Sequence, residues 1–82
     1  MPAKKVVVYI KEGCPYCINA EALLKSRNIK YQRIVYSNLT DKQKTNVMKK
    51  TGEYRFYPKI LVNNVFIGGY DNLKKNIYTL FL

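Results

Sequence analysis

Residues 6–17 have the sequence VVVYIKEGCPYC, which sets the architecture of the chain and contains both of its cysteines. Residues 6–10 are a continuous run of β-branched and aromatic side chains, typical of a strand that is buried on both faces. Pro15 suits the first position of a helix, because the N–H that it lacks would have no partner there. Helical spacing then relates Cys17, Ala20, Leu23 and Leu24. The stretch therefore predicts a strand, a short loop and a helix over about residues 15–27.

The middle of the chain predicts a second strand and a second helix. Residues 31–36 alternate loosely between polar and apolar side chains and favour a strand. Because a helix lies between the two strands, we expect a right-handed parallel crossover. Residues 40–43, TDKQ, have the spacing of a capping box, so a helix is predicted from there to about Thr51. Gly52 suits the position just after its end.

The last part of the chain predicts a β-hairpin and a third helix. Residues 59–62 and 65–67 are short apolar runs, and the two Asn residues between them tolerate the positive φ of a two-residue turn. After a Gly-Gly pair, Asp71 is the expected N-cap of the helix. The helix has an apolar stripe at the spacing i, i+4, i+7 and i+8, formed by Leu73, Ile77, Leu80 and Phe81.

Length and composition favour one small domain over residues 1–82. Hydrophobic residues make up 48% of the chain, enough for a single packed core. We predict an α/β fold with a four-stranded mixed sheet, the chain order βαβ-α-ββ-α and three helices on the two faces of the sheet. No apolar run approaches the roughly 20 residues of a membrane span, and the run after MPAKK is too short for a secretory signal. We therefore expect no membrane partner and a cytoplasmic, reducing compartment.

The chain is strongly basic, with 15 Lys and Arg, 5 Asp and Glu, no His and a formal charge of +10. Such a surface attracts anions and acidic partners through a field that salt screens. The lysines are scattered over positions 4, 5, 11, 25, 30, 42, 44, 49, 50, 59, 74 and 75. Because no nucleic-acid-binding motif accompanies them, we expect a solvated surface rather than a nucleic-acid interface. A monomer is the expected state.

The positions of the two cysteines favour chemistry over a structural role. A disulfide between Cys14 and Cys17 would close a tiny loop and add little stability. A zinc site needs more ligands than two cysteines supply, and two idle cysteines are the remaining alternative. Cys14 precedes the helix, where unpaired N–H groups and the helix dipole favour a thiolate, and Lys11 would act in the same direction. We therefore predict that Cys14 is the nucleophile and that Cys17, one turn inside the helix, resolves the mixed disulfide.

Two segments resemble the signatures of dithiol glutaredoxins. Residues 9–17, YIKEGCPYC, are similar to the active-site segment of that family, with its lysine before the motif and Pro-Tyr between the cysteines. Residues 58–73, PKILVNNVFIGGYDNL, are similar to its second signature, a proline that opens a hairpin followed by Gly-Gly and an acidic helix start. The resemblance implies a thioredoxin fold and a glutathione-dependent oxidoreductase acting on protein disulfides and glutathione mixed disulfides. Glutathione would be the reducing cosubstrate, and no metal is expected.

The resemblance also implies a glutathione site formed by Lys11, Tyr16, Tyr57, Pro58, Gly69, Tyr70, Asp71 and Asn72. Lys11 would contact the glycine carboxylate of glutathione, and the backbone of Tyr57 would pair with its cysteine. Asp71 and Asn72 would contact the γ-glutamyl end, and Pro58 would be a cis proline beside the nucleophile. Structural roles remain open: a surface charge at Lys11, an ordinary loop proline at Pro58, only a cap at Asp71, and only a cover for the helix end at Tyr16.

Two departures from the family pattern bear on this site. Phe56 and Tyr57 replace the usual Thr-Val before the proline, so a hydroxyl contact to glutathione is lost while the backbone contact is kept. Asn72 stands where the family often has a second acid. Together they would weaken glutathione binding by about 1–2 kcal/mol.

These departures support an alternative, a redoxin that a thioredoxin-reductase-type flavoenzyme reduces. A second alternative is a basic thioredoxin-fold binding module with vestigial cysteines. Iron–sulfur ligation by a dimer is disfavoured, because the family associates the proline of CPYC with poor cluster binding. Disulfide-containing or glutathionylated proteins, some of them acidic, are the expected protein partners.

Overall fold

The structure is a computed structural model and describes residues 4–81. Its elements in chain order are β1 (Val6–Ile10), α1 (Pro15–Ser26), β2 (Gln32–Val35), α2 (Asp41–Lys50), β3 (Lys59–Val62), β4 (Val65–Gly68) and α3 (Tyr70–Leu80). Within the described residues the strands form a four-stranded sheet in the order β2-β1-β3-β4. β1 runs parallel to β2 and antiparallel to β3, and β3 and β4 form an antiparallel hairpin. This is the predicted mixed sheet with three helices, in the arrangement of the thioredoxin fold.

The main core lies on one face of the sheet, against α1 and α3. Its buried members are Val6, Val8, Ile10, Cys17, Ala20, Leu24, Ile60, Val62, Leu73 and Ile77. The stripes predicted for α1 and α3 therefore point into this core. On the opposite face of the sheet, Val7 and Leu61 are buried neighbours in the β1–β3 register. The one buried residue of α2 is Val47.

The hairpin turn and the capping box of α2, both predicted from local sequence, are confirmed, and the predicted N-cap of α3 is not. Asn63 and Asn64 have φ values of 53° and 66°, which make the tight hairpin turn between β3 and β4. Thr40 and Gln43 form the capping box of α2: the Gln43 N–H donates to the Thr40 hydroxyl over 3.2 Å, and the Thr40 N–H donates to the Gln43 side chain over 2.9 Å.

The N-cap predicted at Asp71 is wrong. The N-cap of α3 is Gly69, which makes no side-chain capping bond, and the helix begins at Tyr70. The reason is that β4 continues to Gly68, where a φ of 116° turns the chain directly into the helix. Asp71 therefore lies in the first turn, where the helix dipole still favours its carboxylate.

One lysine departs from the solvated surface that was expected. Lys59, the first residue of β3, is 0% exposed, whereas Lys44 is half-buried and the other lysines are exposed. Lys59 follows the segment that joins α2 to β3, residues 51–58, in which Gly52 and Glu53 have left-handed backbones with φ near 60° (59° and 60°). The expectation fails because the Lys59 side chain contacts carbonyl and aromatic groups of this segment.

No helix in the described part of the chain is long and apolar enough to cross a membrane.

Candidate active site

Cys14 is the N-cap residue of α1 and presents its sulfur to the start of the helix. Its backbone is extended (φ −93°, ψ 112°), and its Sγ accepts a hydrogen bond from the Cys17 N–H over 3.3 Å. An N-cap side chain usually satisfies one of the unpaired N–H groups of the first turn with an oxygen, and here a sulfur does so. The positive φ of Gly13 (72°) gives the chain the turn that brings Cys14 to this position. The arrangement stabilises negative charge on Cys14 Sγ.

The two thiols differ in access and in acidity. Cys14 is partly buried, whereas Cys17 is 2% exposed, and both are free. Burial raises the pKa of the Cys17 thiol to about 12, and its hydrogen bond with Cys14 adds to the shift, while the backbone amide of Lys11 opposes it. Cys17 therefore keeps its proton at neutral pH until the environment of its sulfur changes. This asymmetry suits an attacking Cys14 and a resolving Cys17.

The segment before β3 brings a backbone carbonyl to Cys14. The Tyr57–Pro58 peptide bond is cis, as expected, and Pro58 is buried. The Cys14 thiol donates to the Tyr57 carbonyl across 3.7 Å. The backbone of Tyr57 thus lies beside the reactive sulfur, where a peptide-like substrate could pair with it.

A groove of about 380 Å³ opens beside the start of α1 and the segment before β3. Its lining residues are Tyr16, Tyr54, Phe56, Tyr57, Gly69, Tyr70, Asp71 and Asn72. Six of these were in the predicted glutathione site, and the structure brings them together. Lys11 and Pro58 do not line the groove: Lys11 is exposed just after β1, and Pro58 is buried.

Two lining residues, Tyr54 and Phe56, were not predicted as site residues. The replacement of Thr by Phe56 before the proline was a usable signal, whereas nothing in the sequence near Tyr54 marks it. Phe56 is 70% exposed and packs edge-on against Tyr54, with ring centroids 5.6 Å apart. Tyr16, which also lines the groove, is 59% exposed, and its ring lies 6.3 Å from that of Tyr70. Five of the eight lining residues are therefore aromatic.

Close packing requires glycine at both positions of the Gly-Gly pair, of which Gly69 lines the groove. A Cβ atom at Gly69 would lie 2.8 Å from the Tyr54 hydroxyl and 3.4 Å from the Pro58 carbonyl oxygen, so a larger residue would displace the wall. A Cβ atom at Gly68 would overlap the side chain of Asn72, which is folded over that glycine. The two glycines therefore let the start of α3 approach the segment before β3.

The assembled features suit thiol–disulfide exchange. The site combines the Cys14 sulfur at the N-terminus of α1 with the protonated Cys17 thiol one turn further on. The Tyr57 carbonyl and the groove lie beside them. Exchange needs a thiolate, access for the disulfide and a leaving thiol, and these features provide the first two. Among residues 4–81, no group of three or more His, Cys, Asp or Glu side chains is arranged to hold a metal ion.

Known proteins share both the sequence and the fold. The family model of glutaredoxin matches residues 6–67. Glutaredoxin 1 of Rickettsia prowazekii (strain Madrid E) is 41% identical over 68 residues, which are 83% of this chain and 72% of that protein. The dithiolic glutaredoxin of Trypanosoma brucei brucei is 28% identical, with a TM-score of 0.75 over 96% of this chain and 90% of that one.

A buckwheat glutaredoxin–glutathione complex has a TM-score of 0.77 at 24% identity, covering 93% of this chain and 70% of that one, and so shares the fold. The matched segment contains both cysteines and the cis proline of the site. The chain therefore belongs to the glutaredoxin family and is a thiol–disulfide oxidoreductase.

Proposed function

We propose that this glutaredoxin is glutathione-dependent and reduces both glutathione mixed disulfides and protein disulfides. The observation that carries the proposal is the position of Cys14 Sγ, which lies at the N-terminus of α1 and 3.7 Å from the Tyr57 carbonyl that borders the groove. A disulfide held in the groove would present its sulfur to Cys14. We propose a reducing, cytoplasmic compartment for the reaction, because a CxxC pair cycles there instead of staying oxidised.

The reaction on a glutathione mixed disulfide needs only Cys14. Its thiolate attacks the glutathione sulfur, the original S–S bond breaks, and the released protein thiolate takes up a proton. A second glutathione, as thiolate, attacks the glutathione sulfur now bound to Cys14. Oxidised glutathione leaves, and Cys14 returns as a thiolate.

The reaction on a protein disulfide uses both cysteines. Attack by Cys14 gives a mixed disulfide with one substrate sulfur and frees the other as a thiol. Cys17 then loses its proton and attacks Cys14 Sγ, which forms the Cys14–Cys17 disulfide and releases the second substrate sulfur. Two glutathione molecules reduce this disulfide and leave as oxidised glutathione.

The groove offers complementary groups to a γ-glutamyl tripeptide. The backbone of Tyr57 would pair with the cysteine of glutathione. The N-terminus of α3 would receive the γ-glutamyl carboxylate, since unpaired N–H groups there favour an anion, and the Asp71 carboxylate would contact the ammonium. Lys11, exposed after β1, would meet the glycine carboxylate. The buckwheat glutaredoxin of the same fold was solved with glutathione, which supports this assignment.

One observation favours the alternative in which a flavoenzyme reduces the pair. Asn72 lines the groove with a neutral amide folded close to Gly68, so no carboxylate stands at this position to pair with a γ-glutamyl ammonium. A weaker glutathione site would shift the balance toward a protein reductant.

Coupled assays separate the two reductants. The substrate is the mixed disulfide of glutathione and 2-mercaptoethanol, and NADPH consumption is followed with glutathione plus glutathione reductase or with thioredoxin reductase alone. We expect turnover in the first assay and a negligible rate in the second. Turnover with thioredoxin reductase alone would overturn glutathione dependence.

A further inference from the structure

Lys59 is a fully buried lysine, and its side chain contacts three residues that line the groove and one that does not. The partners are Tyr54, Phe56, Tyr57 and, outside the groove, Tyr36. It begins β3, directly after the cis proline, and its side chain is 0% exposed. Its Nζ donates to the Tyr54 carbonyl and to the Phe56 carbonyl, the latter over 3.3 Å. The Lys59 side chain thus folds back along residues 54–57 and links two backbone carbonyls of this segment to the first residue of β3.

Three tyrosine rings enclose the same ammonium. Lys59 Nζ lies 4.5 Å from the ring centroid of Tyr57, 5.5 Å from that of Tyr54 and 5.6 Å from that of Tyr36. The rings of Tyr36 and Tyr57 also contact each other edge-on at 5.6 Å. A cation held over ring faces is attracted to them, more strongly when it is removed from water. Lys59 therefore holds the residues of the wall by their side chains as well as by their backbone.

Stability alone does not account for a charge at this position. Removing an ammonium from water is unfavourable, and burial lowers the pKa of Lys59. Replacing buried ionic groups with well-packed apolar residues is often neutral or stabilising. What the ammonium supplies, and an apolar chain does not, is directional bonding to the Tyr54 and Phe56 carbonyls.

These contacts bear directly on the groove. Tyr54, Phe56 and Tyr57 form one wall, and the Tyr57 carbonyl lies 3.7 Å from Cys14 Sγ. We propose that Lys59 is a positioning residue for the reaction: it holds the segment 54–57 in the arrangement that binds the disulfide beside Cys14. The kinetic part of this inference rests on the proposed glutathione-dependent function.

The role has a specific signature. Lys59 touches the wall and not the reacting sulfur, so its loss weakens the hold on the substrate and leaves the reactivity of Cys14 unchanged. Lys59→Met, of similar length but without N–H donors, is expected to raise KM for the glutathione–mercaptoethanol disulfide about tenfold, the effect of losing one hydrogen bond between the Tyr57 backbone and the substrate. Values of kcat and the rate of Cys14 alkylation by iodoacetamide should stay at wild-type levels.

A second readout does not depend on glutathione. Amide hydrogen exchange, followed by NMR, should speed up in Lys59→Met at Tyr54, whose N–H donates to the Thr51 carbonyl over 3.2 Å, and stay slow in β1. Lys59→Arg, which keeps the charge and the donors, should restore both KM and protection. Lys30→Met removes the same charge from an exposed loop and should behave as wild type.

Either of two results with Lys59→Met overturns the proposal. One is a wild-type KM together with wild-type exchange at the Tyr54 amide. The other is a raised KM accompanied by a matching fall in kcat and in the alkylation rate of Cys14, which marks general damage. If Lys59→Met does not fold, Lys59→Gln and Lys59→Arg replace it, and equal KM values for those two overturn the role of the charge. If the wild type itself shows no glutathione-coupled turnover, the proposed function fails while the exchange experiment still tests Lys59.

Discussion

The backbone N–H of Cys17 donates to the sulfur of Cys14 across 3.3 Å. In return, the Cys14 side chain adds to the raised pKa of the Cys17 thiol. This bond and the dipole of α1 stabilise a Cys14 thiolate. The contact from the Cys14 thiol to the Tyr57 carbonyl, at 3.7 Å, exists only in the protonated form and acts in the opposite direction. The amide contact is the shorter one and acts together with the helix end, which favours the thiolate.

The different roles of the two cysteines predict that their serine variants differ in which disulfides they reduce. Cys14→Ser should abolish turnover of every disulfide in the glutathione-coupled assay. Cys17→Ser should keep turnover of the glutathione–mercaptoethanol disulfide, because that reaction needs one thiol, and should lose most activity on a protein disulfide. Retained activity in Cys14→Ser would refute the assignment of the nucleophile.

The acidity of the two thiols predicts a large difference in labelling. Because burial raises the pKa of Cys17 to about 12, its thiolate is scarce at neutral pH. In Cys14→Ser, iodoacetamide should label Cys17 at least about 100-fold more slowly than it labels Cys14 in Cys17→Ser. The Cys17 rate should also rise steadily as the pH is raised. Mass spectrometry of timed samples measures both rates, and equal rates would contradict the asymmetry of the site.

A tyrosine away from the site contributes stability that is lost in alkali. Burial, followed by its hydrogen bond to Glu21 (2.8 Å), raises the pKa of Tyr31 from 10.0 to about 12. Since the unfolded chain then loses this proton first, the contribution of Tyr31 is fully present below pH 10 and is lost as the pH rises toward about 12.

Urea denaturation at a series of pH values tests this prediction. Tyr31→Phe keeps the ring and lacks the titrating group, so its free energy of unfolding should fall less between these pH values than that of the wild type. An identical fall in both proteins would show that Tyr31 does not titrate as described.

The departure at Asn72 predicts a gain of function. Asn72→Asp places a carboxylate at the start of α3, where the helix dipole favours it and a γ-glutamyl ammonium would meet it. KM for the glutathione–mercaptoethanol disulfide should fall several-fold, about the effect of one hydrogen bond to a charged group. Asn46→Asp makes the same charge change on the exposed surface of α2 and should leave KM unchanged. A KM in Asn72→Asp equal to that of the wild type would place the ammonium elsewhere.

Local signals in the sequence account for much of the fold. The apolar run of β1, Pro15 at the start of α1 and the Thr40–Gln43 capping box all act within a few residues, and the structure has each of them where the sequence predicts it. The N-cap expected at Asp71 failed for a local reason as well, because the extension of β4 to Gly68 moved the helix start.

The parts that escaped prediction depend on contacts between distant elements. Tyr54 becomes a groove residue only because the segment after α2 folds back toward Gly69. Lys59 resembles any surface lysine in the sequence, and its burial arises from Tyr36, which is 23 positions away, and from the preceding segment. Neither periodicity nor capping rules report such packing.

The proposed chemistry rests on the reactivity of the Cys14 sulfur at the N-terminus of α1. This reactivity is measured most directly by mixing Cys17→Ser with oxidised glutathione at neutral pH and following the glutathione adduct by mass spectrometry, with Cys14→Ser as the comparison. The account predicts rapid formation of a Cys14–glutathione disulfide in Cys17→Ser and almost no adduct on Cys17 in Cys14→Ser. An adduct that forms equally fast in both variants, or in neither, would contradict the account.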